Sequence, residues 1–416
     1  MTQSTKRTEA NEAATERIQL ADPVLVSVER AVDELPGMTP NTVLTSGPPL
    51  DWGEYQQGQA DAIIGGAIFE NLAESRADAI QKLETGEISL SSCHDHGCVG
   101  SIAGVHTASM PVFVVKDRES GSVGRCHFYE GHSRHRLNYG SYNEEVDEQL
   151  RFINDVVANV LSRAIDITGG VDLQPIIRQA LRMSDDMHSR NNAATVLLTR
   201  ELFPAILKLA QRDEVQQKKI DQTLTHLRDN QYVFLRPAMA ASKATAEAAH
   251  EVDGSSIVTA MSFNCSEFAI RVGGLGDQWF RAPMPMIDGK YFEQFSEEDV
   301  QYMGGDSVIN ATVGLGGLAQ AAAFPLTEYQ GGSPQQMIKR NEEMYKITTD
   351  EHPCYEIPYF QFRGVPTGID VKKVVNEGIT PVMNMGIPGK QGGQIGAGCL
   401  RAPMECFEKA YEQLTE

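Results

Sequence analysis

The sequence predicts an α+β protein in which two mixed α/β domains flank a smaller helical one. Three observations carry that expectation. Apolar residues recur at helical spacing through most of 143–235, short β-branched runs lie on both sides of that stretch, and most glycine clusters fall after residue 236. The expected division is a flexible N-terminal tail over 1–20, a first α+β domain over 21–142, a helical domain over 143–235 and a Gly-rich α/β domain over 236–416.

The first twenty residues mix charge signs (Lys6, Arg7, Glu9, Glu12, Glu16, Arg17) and hold no apolar run of signal-peptide length, so they read as a frayed tail or surface helix. From Gln57 to Gly86 two helical sets follow: Ala60, Ile63, Ile64, Ala67 and Ile68, then Ala77, Ile80 and Leu83 behind Ser75 as N-cap, ended by Gly86. Val112 to Lys116 and Val123 to Tyr129 read as a hairpin around the Gly and Ser of 118–122. Val146, Leu150, Ile153, Val157, Val160 and Ala164 share one stripe and predict a helix over 143–165. Further helices are predicted over 173–183, over 193–209 with Pro204 as a kink, and over 215–227. An Ala-rich helix follows Arg236 and reaches about His250, before strands at 256–259 and 268–272.

Composition narrows the function. Acids outnumber bases 56 to 36 among 416 residues, for a net charge of −20. A chain so acidic is a poor ligand for a nucleic-acid backbone. Seven scattered cysteines are an odd number without disulfide-framework spacing, which suits a reducing cytoplasm. No apolar run is long enough for a membrane span. The expectation is a cytoplasmic enzyme, a homo-oligomer, with neither nucleic acid nor membrane as partner.

Three clusters could carry chemistry. Cys93-His94-Asp95-His96-Gly97-Cys98 concentrates thiols and imidazoles, and six of the ten histidines fall between 94 and 135. On an extended strand His94 and His96 would face one side, which is the case for zinc or another divalent metal held by Cys93, His94, His96 and Cys98. The spacing matches no standard zinc module, and the favoured reading has no metal or other cofactor: a polar loop whose histidines carry protons. The second cluster, Asp185-Asp186-Met187-His188-Ser189-Arg190-Asn191, is either a helix-capping turn or a binding site with His188 in proton transfer. The third is dispersed: Lys243, Arg271, Asp306, Ser307 and the turn at Gly314 to Gly317, where Gly316 could offer its N–H to an anion or serve only close packing. There is no G-x-G-x-x-G, no P-loop and no G-x-S-x-G elbow.

Four phrases are distinctive together: Cys-His-Asp-His-Gly-Cys-Val-Gly-Ser-Ile-Ala-Gly (93–104), Met-Ser-Asp-Asp-Met-His-Ser-Arg-Asn (183–191), Gly-Asp-Ser-Val-Ile-Asn-Ala-Thr-Val-Gly-Leu-Gly-Gly (305–317) and Gly-Ile-Asp-Val-Lys-Lys-Val-Val (368–375). They resemble the YlbE-like family from about Leu44 to Phe407. That family includes one subunit of oxamate carbamoyltransferase, which forms oxamate and carbamoyl phosphate from the ureide oxalurate and phosphate. The resemblance implies two α+β domains around a helical one, and companion transferase subunits. Where the family commonly has arginines, this chain has Phe263-Asn264-Cys265 and Leu137-Asn138-Tyr139-Gly140, which implies a less anionic substrate.

The function expected is cleavage or transfer of the carbamoyl or acyl group of a small amide or ureide, with phosphate as a possible acceptor. His94, Asp95, His96 and His188 are the expected catalytic residues. Asp185, Arg190, Asn191, Lys243, Arg271, Asp306, Ser307 and Gly316 are expected to bind substrate. The alternatives are a metal-dependent hydrolase opening a cyclic amide or ureide, and a non-catalytic scaffold subunit. All three require the front loop, the middle bend and the rear glycine turns to meet.

Overall fold

A computed structural model describes residues 3–211 and 214–415. It is a mixed α/β protein with several small sheets. The largest has five strands in the order Cys98–Val99, Val123–His127, Pro111–Asp117, Pro23–Arg30, Val171–Asp172. The predicted hairpin forms its middle: Lys116 pairs with Val123, and the Asp117 carboxylate accepts from the backbone N–H groups of Asp22, Glu119 and Ser120, which closes the turn. Ser75 caps the helix Arg76–Thr85 through the Asp78 N–H, and Gly86 ends it at φ +75°.

The stripe over 143–165 is one continuous helical run, Glu144–Phe152 and Ala158–Thr168 joined by a π-turn at Ile153–Val157. Its apolar face does not enclose a core of its own. Val157, Leu161, Ile177, Leu198 and Ile206 share one core with Leu25, Phe113 and Val115 of the first sheet. The helices of 143–235 therefore cover that sheet, because an amphipathic stripe needs an apolar surface and the sheet supplies it.

Of the two readings of the N-terminal segment, loose tail or helix, the described residues 3–20 take the helix. Gln3–Leu20 is a helix whose Asn11, Ala14, Thr15 and Ile18 are buried. Asn11 donates to Ser256 Oγ at 2.9 Å and accepts from its N–H at 2.8 Å, so residues 245 apart in sequence fasten the helix down. Of the charges that suggested a loose segment, Lys6, Glu9, Glu12 and Glu16 face solvent, while Arg7 and Arg17 donate to the Leu414 and Ala248 carbonyls.

The Ala-rich helix is Leu235–His250, buried except at Glu247 and His250. It belongs to the core beneath the first sheet rather than to the Gly-rich end of the chain. Gly124 lets it approach: a Cβ there would lie 2.0 Å from the Ala240 carbonyl oxygen. Beyond it the strands Phe280–Pro283, Glu267–Val272 and Val258–Phe263 form one sheet, and Asp288–Tyr291, Gln394–Arg401 and Val382–Pro388 another. Two 3₁₀ segments, Ser307–Val313 and Gly316–Ala322, bury every residue between the sheets. No described helix is long and apolar enough to cross a membrane.

Substituting Gly124→Ala should destabilise the protein by about 1–3 kcal/mol, since an added methyl in a filled contact forces backbone to move. Urea unfolding of the two proteins measures this, and an unchanged midpoint would contradict the packing described.

Candidate functional site

A cavity of about 70 Å³ opens where the front, middle and rear of the chain meet. One water position takes roughly 10–15 Å³ on such a measure, so the space suits a ligand of a few heavy atoms. Its walls are Ser101 and Ile102 of the front loop, Tyr129, Arg136 and Tyr139 of the loop after the hairpin, and His188 and Ser189 of the middle bend. Tyr232, Leu235 and Arg236 at the start of the Ala-rich helix, Ser307, Tyr329, Gly386 and Gln394 complete them.

Two walls are strained. Ile102 and Ala103 hold φ +37° and +46°, and Ser184 and Met187 hold +71° and +64° on either side of the acidic pair. Left-handed backbone in a β-branched residue costs of order 1–3 kcal/mol, and such positions concentrate at functional sites. The strain is held by buried carboxylates. Asp186 accepts from the N–H groups of His188 (3.0 Å) and Arg190 (2.8 Å) and from Asn384 (2.5 Å), while Asp185 accepts from Ala194 N–H in the first turn of the next helix. Burial raises the Asp185 carboxyl to about 7. The acidic bend is thus a helix-capping turn that presents His188.

His188 lines the cavity with Nε2 unpartnered. Desolvation holds its pKa below the ordinary 6.5, so it is a neutral base near pH 7. Gly316 packs under it: a Cβ there would come within 3.1 Å of the His188 Cβ. The Gly316 N–H is spent on the Asp186 carbonyl at 2.7 Å, so it is not an anion donor as expected. Asn191 likewise turns inward, donating to the His188 carbonyl at 2.8 Å, and Arg190 lies 3.7 Å from Asp185. These residues shape the bend and do not line the cavity.

Two guanidinium groups outside the distinctive phrases border the cavity. Arg136 stacks 4.2 Å over the Tyr139 ring and donates to the Tyr129 hydroxyl at 3.2 Å. Arg236, buried on the central helix, lies 5.7 Å over the opposite ring, that of Tyr129. Among the described residues both Nε atoms are buried without a hydrogen-bond partner and neither arginine forms an ion pair, although the Glu130 carboxylate is near enough to favour both charges. Glu130, the nearest acid in sequence to Arg136, is committed to the N–H groups of Leu137 and Asn138 and to the Asn138 amide. Tyr139, Tyr232 and Tyr329 all have pKa values raised by burial and remain neutral donors. Tyr329 and Tyr139 also meet the Gln394 amide.

Asp306 forms the partition behind this cavity. Its carboxylate accepts from Gly47 N–H (3.0 Å), Gly100 N–H (2.9 Å) and the Ser262 hydroxyl, immediately before Ser101 and beside Ser307. Desolvation raises it to about 6, against the pull of those three donors. On its far side lie most of the other expected site residues. His94 Nε2 is 3.7 Å from Asp306, its ring meets Trp279 edge-on at 5.1 Å, and both of its nitrogens lack hydrogen-bond partners. Arg271 donates to Asp95 at 2.8 Å and stacks 4.3 Å over Trp279, and Lys243 pairs with Glu247 one turn along the central helix. None of His94, Asp95, Lys243 or Arg271 lines the cavity.

The expectation for His94 and His96 fails on local geometry. Cys93–His96 is a 3₁₀ turn, not a strand, so alternate residues diverge. His94 points into the protein, while His96 Nδ1 meets the Pro36 carbonyl at 2.7 Å. The metal set Cys93, His94, His96 and Cys98 therefore cannot close on one ion.

A family model for the oxamate carbamoyltransferase subunit AllG matches residues 88–307, the span that carries Ser101, Arg136, His188, Arg236 and Ser307. The oxamate carbamoyltransferase subunit AllG of Escherichia coli (strain K12) is 37% identical over 98% of this chain and 97% of its own. The chain belongs to the AllG family. The uncharacterized protein YahG of the same organism is 38% identical over 96% of this chain and 84% of its own. The crystal structure of a conserved protein of unknown function from Enterococcus faecalis V583 is similar at TM-score 0.96 and 35% identity, covering 100% of this chain and 99% of that one. These matches bear out the part of the motif resemblance that pointed to a carbamoyltransferase subunit.

What the motifs missed is the aromatic and cationic lining. Arg136 and Arg236 lie outside the distinctive phrases, and one available signal was the run Tyr129-Glu130-Gly131-His132-Ser133-Arg134-His135-Arg136, unusually rich in donors for a loop.

Because the Asp306 carboxyl is raised from 3.8 to about 6, the native state holds its proton more firmly than the unfolded chain. Its contribution to stability is full below pH about 4 and is lost as pH rises through 6. Asp306→Asn should remove that slope and also cost about 1–3 kcal/mol through mismatched donors. Urea melts of both proteins across this pH range give the comparison; parallel curves would show that Asp306 does not titrate there.

Proposed function

We propose that the cavity is a carbamoyl- or acyl-transfer site for a small anionic amide or ureide, working within an assembly of the AllG kind. One observation carries this reading: two guanidinium groups, Arg136 and Arg236, flank one small cavity with their Nε atoms unpartnered and no direct ion pair among the described residues. A buried cation without a counter-charge costs several kcal/mol, so such a site favours an anion that restores neutrality. Arginine is also the side chain best matched to a planar carboxylate or a phosphate. The expectation of a less anionic substrate is replaced by its opposite, because arginine positions absent from the motifs are compensated in space.

Transfer of a carbamoyl group forms a bond from the acceptor oxygen to the carbamoyl carbon and breaks the carbon–nitrogen bond, and the departing nitrogen takes a proton. On this reading neutral His188 accepts the acceptor's proton and returns it to that nitrogen. The hydroxyls of Tyr129, Ser101 and Ser307 are donors for the developing oxyanion. Tyr129 is suited to this because its oxygen already accepts from Arg136, which leaves its own hydrogen for the ligand. His94, Asp95 and His96 have no part in the transfer, and Asp185, Asp186 and Asp306 hold backbone. The name of the AllG relative makes it one subunit of an enzyme, so companion subunits are part of the proposal.

Arg136→Ala and Arg236→Ala should each weaken binding of oxamate or inorganic phosphate to the isolated chain by about 10- to 100-fold, the value of a charged hydrogen bond. Calorimetric titration reads this without a companion subunit; unchanged affinity in both variants rejects the anion site. His188→Gln should keep that affinity yet lower kcat by ~10²-fold in the assembled enzyme. The acidic limb of kcat/KM for the unaltered enzyme should lie below pH 6.5. A full-rate His188→Gln enzyme removes the proton carrier from the scheme.

A further inference from the structure

The front loop holds a second arrangement that the cavity does not use. Cys93, Cys98 and His106 are each fully buried, and their donor atoms lie within 4.8 Å of one another. The Cys93 sulfur is 3.6 Å from His106 Nδ1. Zinc bonds of about 2.3 Å to sulfur and 2.0–2.1 Å to nitrogen place neighbouring ligands of a tetrahedron roughly 3.5–3.8 Å apart. The Cys93–His106 separation matches one edge of that tetrahedron, and the other donor pairs lie within 4.8 Å. The Gly104 carbonyl oxygen borders the same group, 3.2 Å from the Cys93 sulfur and 2.9 Å from His106 Nδ1.

We infer that Cys93, Cys98 and His106 form a structural site for a thiophilic divalent ion of the zinc class, with the Gly104 carbonyl in the fourth position. Three arguments support it. Two thiolates neutralise a divalent ion, so the filled site carries no net charge into a dry interior and the usual penalty for burying a cation is avoided. The His106 ring is already aimed as a ligand, its Nδ1 facing both the Cys93 sulfur and the Gly104 carbonyl beside the edge-on ring of His127. Finally, the loop between the ligands is costly to hold unaided: Ile102, Ala103 and Gly104 are consecutive left-handed residues, and Gly100 and Gly104 touch backbone to backbone. An ion tied to residues 93, 98 and 106 clamps both ends of that segment, which presents Ser101 and Ile102 to the cavity. Binding exchanges the Nδ1–H bond to Gly104 for the metal bond and releases the two thiol protons and the Nδ1 proton, with Nε2 taking up one. The ion has no open position and no role as a Lewis acid. The site is independent of the proposed reaction.

The test uses the full chain, expressed without a histidine tag and purified without chelator. Elemental analysis should give about one zinc per chain, and exchange into cobalt should produce a thiolate-to-cobalt charge-transfer band with intense tetrahedral visible bands. Cys98→Ser should lose most of the bound zinc and weaken the charge-transfer band, whereas Cys406→Ser, on a buried thiol of the other core beside the Phe268 carbonyl, should change neither. A strong chelator should lower the thermal midpoint of the unaltered protein. Absence of both zinc and a charge-transfer band in the unaltered chain overturns the site, and this reading needs no variant to fold. Full zinc content in a Cys93→Ser, Cys98→Ser double variant also overturns it, by placing the ion elsewhere.

Discussion

Burial of the helix Leu235–His250 is the constraint on which the arrangement depends. Its neighbours approach at backbone distance because Ala238, Ala240, Ala241, Ala244, Ala248 and Ala249 offer nothing larger than a methyl, and because Gly124 offers less. The same helix carries Arg236 and Lys243, seven residues or about two turns apart and so on one face. One cation ends in the cavity; the other pairs with Glu247 near His94 and Asp306. A helix that must be buried for its small side chains thereby takes two charges into the interior, and the polar groups around them answer that cost.

Those answers fall into two compartments divided by Asp306. On one side, tyrosines, serines and His188 surround guanidinium groups that form no direct ion pair among the described residues. On the other, Arg271 and Lys243 each have carboxylates, Asp95 and Glu247. Compensated charge is the ordinary condition of a folded interior, and uncompensated charge is the exception that asks for a ligand. That difference is the ground on which the proposed function chooses between two similar-looking polar clusters. It also explains why the acidic bend is structural: Asp185 and Asp186 spend their oxygens on backbone N–H groups, and what they deliver is the position of His188.

Much of the local structure was legible in the chain. Ser75 and Gly86 marked a helix at both ends, Gly121 and its neighbours marked a hairpin, and the stripe from Val146 to Ala164 marked the long helical run. Each depends on residues within a few positions of one another, where periodicity and turn chemistry act directly. The candidate site was legible in part. His188 and Ser307 line the cavity as expected, and the front loop contributes through Ser101 rather than through His94 or His96. The His-x-His pattern misled because its meaning depends on whether the backbone is extended, and the left-handed Gly97 closes it into a 3₁₀ turn.

Composition and pattern alone determined that this is an acidic, mixed α/β chain whose unusual phrases lie at loops and whose family those phrases carry. Tertiary structure alone decided which charges keep partners. Pairing is a property of distance across hundreds of residues: Arg271 finds Asp95 from 176 positions away, while Arg136 and Arg236, 100 apart in sequence, share a cavity without a direct ion pair among the described residues. No local rule contains that distinction, because the energy of a buried ion is set by whatever the fold places within a few ångströms of it.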